Sequence, residues 1–109
     1  KGEMLSTGQH LDLVGSFKPT SREADDQTMI RSSVYIDTET AMKESGDLFI
    51  PLTNQVIDKS HIKGTLFTLC EQDKFQRTST DEITLFKSVG YALEDLVAAE
   101  LIWNLATST

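Results

Sequence analysis

Ser88 stands at a change of periodicity. Before it, Ile83-Thr84-Leu85-Phe86 has the branched and aromatic residues of a buried strand; after Gly90, the apolar residues Leu93, Leu96, Val97, Leu101, Ile102 and Leu105 recur at helical spacing. A small hydroxyl and a glycine at a strand-to-helix turn let a ligand approach the backbone, with the positive end of the helix dipole behind it. Nucleotides often sit at such junctions. A second such end is Val14-Gly15, where the alternating run His10-Leu11-Asp12-Leu13 stops. Either glycine serves equally well simply to turn the chain.

The remaining reactive side chains give weaker patterns. His10 and His61 are far apart and have no Cys or His nearby, so no zinc site is implied. Asp25-Asp26 suits a solvated helix start. Glu44 and Asp47 flank Gly46 beside an apolar stretch, where a partly buried carboxylate would suit a cationic ligand. Arg22-Glu23 has the look of a surface pair, and Lys87 either reaches an anionic ligand or snorkels along its element. There is no G-x-G-x-x-G, no phosphate-binding lysine loop and no serine elbow. A self-contained nucleotide enzyme is thereby disfavoured.

The elements that must position these residues alternate. After the strand ending at Gly15, a helix capped by Thr20 or Ser21 is expected to run to Arg31, acidic at its start and basic at its end. Val34-Tyr35-Ile36-Asp37 is a second strand. A short helix from Glu39 to Glu44 should end with Gly46 as its left-handed cap. The run from Asp47 to Leu52 favours a helical turn, although Pro51 pushes Ile50 toward extended geometry. Asp58 or Ser60 would cap a helix carrying Ile62, Leu66, Phe67, Leu69 and Cys70 on one face. A surface loop over residues 72–78 then leads to the strand at Ile83. Three strands with helical crossovers make a parallel α/β sheet. Three are too few to cover themselves, so this is expected to be half of a larger sheet.

Composition narrows the classes. The chain has 109 residues and a net charge of −7, spread along its length, which argues against a nonspecific nucleic-acid binder. One core is the most that this length supports. The single cysteine, Cys70, forms no internal disulfide and is expected as a small core filler, in keeping with a reducing, cytoplasmic setting. No apolar run is long enough to cross a bilayer, and no signal-type stretch opens the chain.

Taken in order, "HLDLVGSFKPTSREADD", "VYIDTETAMKESGDL" and "DEITLFKSVGYALEDLVAAELIW" resemble the ornithine cyclodeaminase and mu-crystallin family, and within it the ketimine reductase branch. The resemblance falls on the carboxyl-terminal third of family members. It implies the second half of a Rossmann-like parallel sheet with flanking helices, ending in a helix that returns to a dimerisation domain. Residues 1–88 would be the carboxyl-terminal half of a dinucleotide-binding domain and 89–109 the returning helix. Cofactor contacts to NADP(H) or NAD(H) would fall on Val14, Gly15, Ser88 and Val89, with Ser88 at the nicotinamide end. Glu44 matches a ligand-proximal position. No catalytic residue and no metal ligand is assigned; the basic residues that hold a substrate carboxylate lie upstream in the family.

The activity so implied is NAD(P)H-dependent reduction of a cyclic ketimine acid, Δ1-pyrroline-2-carboxylate to L-proline or its six-membered homologue to L-pipecolate, by a homodimer. No nucleic-acid or membrane partner is implied, and the chain alone would be inactive. The alternatives are an ornithine cyclodeaminase and a non-catalytic crystallin-like binder of NADP(H) or a small ligand. The cyclising deaminases carry a proton-transferring Asp two residues after the strand-ending glycine. Here that residue is Phe17, which cannot move protons, so reduction is favoured over deamination.

Overall fold

The computed structural model describes residues 1–71, 77–90 and 92–108. Among these residues four strands form one sheet: β1 (His10–Leu13), β2 (Ser32–Ile36), β3 (Ile62–Thr65) and β4 (Ile83–Lys87). Their spatial order is β1-β4-β2-β3, and every pairing is parallel. Among the described residues five α-helices connect and flank them: α1 (Asp26–Arg31), α2 (Ala41–Glu44), α3 (Gly46–Thr53), α4 (Leu66–Glu71) and α5 (Ala92–Thr107). The fold is the expected parallel α/β arrangement, with one strand more than the sequence pattern suggests.

Alternation along the two central strands sorts the sheet into unequal faces. Ser32, Val34 and Ile36 of β2 and Ile83, Leu85 and Lys87 of β4 are buried, while the residues between them are half-buried. Onto the buried face pack Met29 of α1, Ala41 of α2 and Leu48 of α3, joined by Leu11 and Leu13 of β1. At roughly 25 cal/mol per Å² of apolar area, this cluster is the main stabilising term. The opposite face is only partly covered, and α5 has no buried residue at all.

Several expectations are corrected. Helix α1 begins at Asp26, not near Ser21: Asp25 is the N-cap, accepting from the Thr28 amide at 2.9 Å, and the preceding segment stays irregular to reach the sheet's end. Gly46 is the first residue of α3 rather than a left-handed cap, because the chain at Pro19 and Ser21 crosses directly over it. The helical turn favoured over Asp47 to Leu52 is borne out by α3, and only the extended pull on Ile50 fails: burial of Leu48 and Pro51 against the core outweighs the proline's local preference. The long helix expected through Ile62 to Cys70 is instead β3 followed at once by α4. Lys63 forms a bulge there, between partners Val34↔Ile62 and Tyr35↔Gly64, and this hides the strand period. Cys70 is exposed on α4, so it fills no core. Most of the loop expected over residues 72–78 lies outside the described residues.

Two substitutions test this packing. A Cβ at position 46 would stand 2.2 Å from the Ser21 carbonyl oxygen and 2.9 Å from that of Pro19. Gly46→Ala is therefore expected to lower stability in urea melts by about 1–3 kcal/mol, despite alanine's better helix propensity. Unchanged or raised stability would contradict the close crossing. The Thr28 hydroxyl, against the opposing effect of partial burial and with help from the Thr28 and Gly2 amides, holds the Asp25 carboxyl down at about 2. A carboxyl held below its unfolded value of about 3.9 contributes fully above that pH and loses its contribution as pH falls toward 2. Asp25→Ala should cost about 1 kcal/mol near neutrality, and the gap from wild type should close between about pH 4 and 2. A gap independent of pH would contradict the assignment.

Candidate functional site

The site is built at the carboxyl ends of the adjacent strands β1 and β4. Leu13 pairs with Lys87, and the Ser88 amide donates to the Leu13 carbonyl at 3.0 Å. Val14 and Ser88, each one residue beyond that pairing, are thus brought side by side. Val14 is 62% exposed, so an apolar side chain faces outward next to the half-buried Ser88. Phe17, also 62% exposed, follows in the same loop. Val89 is half-buried against the core, and Gly90 turns the chain into α5 with φ +94°, a left-handed conformation natural to glycine.

The backbone amides here are already occupied. Glu23 Oε1 accepts from the Gly15 amide at 2.5 Å and from the Ser16 amide at 3.1 Å. Asp37, buried at the end of β2, accepts the Val89 and Gly90 amides on Oδ2 at 3.0 and 3.1 Å and the Thr38 amide on Oδ1 at 2.8 Å. The Asp37 amide in turn donates to the Lys87 carbonyl at 3.3 Å. The amides of Val89 and Gly90, ahead of α5, are therefore not available to a ligand at the positive end of the helix dipole. Two strand ends that would otherwise offer donors to a phosphate have given them to internal carboxylates.

Beneath these ends lies an ion cluster. Lys87 is fully buried on β4, where it neither snorkels nor reaches outward: its Nζ lies 3.5 Å from Asp47 Oδ2 and 3.5 Å from Glu23 Oε1. Asp47, also fully buried, accepts the Glu23 and Ala24 amides on Oδ1 at 2.8 and 2.9 Å. The expected Arg22-Glu23 pair is replaced by two others: Arg22 meets Asp26, four residues on at the start of α1, at 2.7 Å, and Glu23 turns inward to Lys87. Partial burial pushes the Glu23 carboxyl up, but the Gly15 and Ser16 amides and the Lys87 ammonium outweigh it and hold the group below its ordinary value. At the start of α5, burial first and then the Asp37 and Asp95 carboxylates push Glu94 up. With Glu23, Asp37 and Asp47 against the single ammonium of Lys87, the ground beneath these two strand ends disfavours an anion and suits a neutral or positively charged group.

The strand ends thus bring Val14, Gly15, Ser88 and Val89 together. Glu44 is exposed at the end of α2, and no side-chain hydrogen bond among the described residues ties it to that crevice. Asp47, singled out in the sequence as a carboxylate suited to a cation, meets an internal one, Lys87, while Asp37 and the inward roles of Glu23 and Lys87 were not apparent from sequence. Their signal was faint: a Lys in register with the buried positions of a strand. Among the described residues no cluster of His, Cys, Asp and Glu could hold a metal ion, and no helix is long and apolar enough to cross a membrane.

Comparison with known proteins fits this geometry. The "Protein SAR DEFICIENT 4" of Arabidopsis thaliana is 46% identical over 102 residues, covering 94% of this chain and 31% of that protein. The Delta(1)-pyrroline-2-carboxylate reductase of Colwellia psychrerythraea is 41% identical over 102 residues, covering 93% of this chain and 32% of that protein. The solved structure of Thermococcus litoralis Delta(1)-pyrroline-2-carboxylate reductase, in complex with NADH and L-proline, superposes with a TM-score of 0.88 at 37% identity, over 98% of this chain and 33% of that one. The chain therefore spans about a third of the length of each relative. The sequence profile of the Ornithine cyclodeaminase/mu-crystallin family matches residues 1–109 throughout, and with this parallel sheet the chain belongs to that family.

Proposed function

We propose that the protein to which this chain belongs is an NAD(P)H-dependent reductase of cyclic ketimine acids, converting Δ1-pyrroline-2-carboxylate to L-proline or its six-membered homologue to L-pipecolate. The observation that carries this reading is that Val14 and Ser88 stand side by side, just beyond the Leu13↔Lys87 pair, at adjacent strand ends whose turn amides are held by internal carboxylates. Such a crevice fits the nicotinamide end of a dinucleotide rather than its pyrophosphate, which needs free donors. The named relatives support the choice of substrate.

When bound, the dinucleotide supplies the hydride for the imine carbon, while the ring nitrogen takes a proton. This chain's residues hold the geometry. Val14 offers an apolar surface to a flat ring, and Ser88 offers a hydroxyl to a carboxamide, with Gly15 and Val89 as the backbone around them. Glu23 and Asp37 fix the two turns, and the net negative floor favours a group that gains positive charge during reaction. Phe17 presents no proton-transferring group beside the crevice, which favours reduction over cyclising deamination. Glu44 remains a substrate-side residue in this reading.

Residues 1–88 form the carboxyl-terminal half of the dinucleotide-binding domain. Among the described residues β1 pairs only with β4, leaving a parallel edge to which the first half of the sheet would add. Residues 89–109 return to a substrate and dimerisation domain. That accounts for the exposure of Leu93, Leu96, Val97, Leu101, Ile102, Trp103 and Leu105 on α5, far more apolar surface than a solvated helix carries. A homodimer in a reducing, cytoplasmic setting completes the reading.

The test uses the full-length protein. Pyrroline-2-carboxylate or piperideine-2-carboxylate should drive oxidation of NADH or NADPH, and ornithine should release no ammonia. Absence of oxidation with either ring would contradict the proposal; ammonia from ornithine would assign the deaminase instead. Ser88→Ala should weaken NAD(P)H binding by the worth of one hydrogen bond, about 1 kcal/mol or roughly fivefold, with the melting temperature unchanged. Unaltered affinity would remove Ser88 from the cofactor site.

A further inference from the structure

We propose that Lys87 is a positioning residue for the cofactor crevice, acting through Glu23 on the Gly15–Ser16 turn. The inference rests on the reading of that crevice as a nicotinamide site. Lys87 touches nothing outside the protein. Its ammonium, fully buried, lies 3.5 Å from both the Glu23 and the Asp47 carboxylates. Glu23 Oε1 carries the Gly15 and Ser16 amides at the same time, and Asp47 Oδ1 fixes Glu23 from behind through its own amide and that of Ala24.

Stability alone does not call for a lysine here. An apolar side chain of similar length opposite a neutral partner would fill the space without desolvating two charges. What the ammonium adds is a choice of rotamer. The Glu23 side chain is 41% exposed and free to swing toward water; the buried cation holds it inward, in the one orientation that accepts both turn amides. The Asp47 Oδ2 atom accepts no hydrogen bond among the described residues and faces the same ammonium. Lys87 therefore couples β4, the residue before Ser88, to the turn that follows Val14. One buried charge thus ties the two strand ends together, while Asp37 fixes the Val89–Gly90 turn.

A neutralised pair separates positioning from mere charge balance. In the full-length protein, Lys87→Met combined with Asp47→Asn removes both buried charges, while the asparagine Oδ1 still accepts the Glu23 and Ala24 amides. If Lys87 positions the turn, the double variant should melt near the wild-type temperature yet bind NADH, followed by fluorescence titration, roughly tenfold or more weakly. Wild-type NADH affinity in that variant would overturn the inference and leave Lys87 a counterion to Asp47. Should the double variant fail to fold, Glu23→Gln carries the test. Its amide oxygen keeps the Gly15 and Ser16 bonds but loses the ion pair, so NADH affinity should fall severalfold with the melting temperature held; unchanged affinity would overturn the inference. If the wild-type protein binds neither NADH nor NADPH, the cofactor reading itself fails, and the inference with it.

Discussion

A lysine ammonium cannot be buried alone. Placing Lys87 at an inward position of β4 obliges the chain to bring carboxylates to it, because an unpaired charge away from water costs several kcal/mol. Asp47 comes from the first turn of α3 and Glu23 from the irregular segment before α1. The segment from Ser16 to Ser21 must then cross over the start of α3. Gly46, whose amide donates to the Lys18 carbonyl at 2.8 Å, permits that crossing. Ser16 and Ser45 close the same seam through their hydroxyls, 3.1 Å apart. One charge thus explains a glycine, a displaced helix start and the shape of a loop.

The same constraint shapes function. A strand end in a parallel sheet normally presents free amides, and that is why phosphates gather there. Here Glu23 and Asp37 consume the amides of both turns, so the outward surface is left with the side chains of Val14 and Ser88. A flat ring with a polar substituent suits such a surface; a phosphate does not. In the proposed reading, a structural requirement of the interior thereby selects which part of a dinucleotide these strand ends would accept.

Much of this was legible in the residues, and the limits have physical causes. The strands at Leu11, Val34 and Leu85 are dense in apolar and branched residues and end at glycine or aspartate, so their period shows. The strand at Ile62 is four residues long, contains Gly64 and a bulge at Lys63, and runs straight into α4, so its apolar positions mimic helical spacing. The two strand ends at Val14-Gly15 and Ser88-Val89-Gly90 showed in the residues, whereas joining Val14 and Ser88 at one site came from the family resemblance, because strand order in a sheet leaves no local sequence signal. The ion cluster was hidden for another reason: Glu23, Asp47 and Lys87 are remote in sequence, and although Asp47 reads as a partly buried carboxylate, nothing in the sequence joins it to Lys87 or Glu23. Only burial distinguishes them.

The most direct test of the account is a crystal structure of the full-length protein with NADH bound. The account predicts the nicotinamide ring packed on Val14, its carboxamide within hydrogen-bonding distance of Ser88 Oγ, and Glu23 still accepting the Gly15 and Ser16 amides. A pyrophosphate seated on the amides of Gly15, Ser16, Val89 or Gly90, with Glu23 or Asp37 displaced, would contradict it.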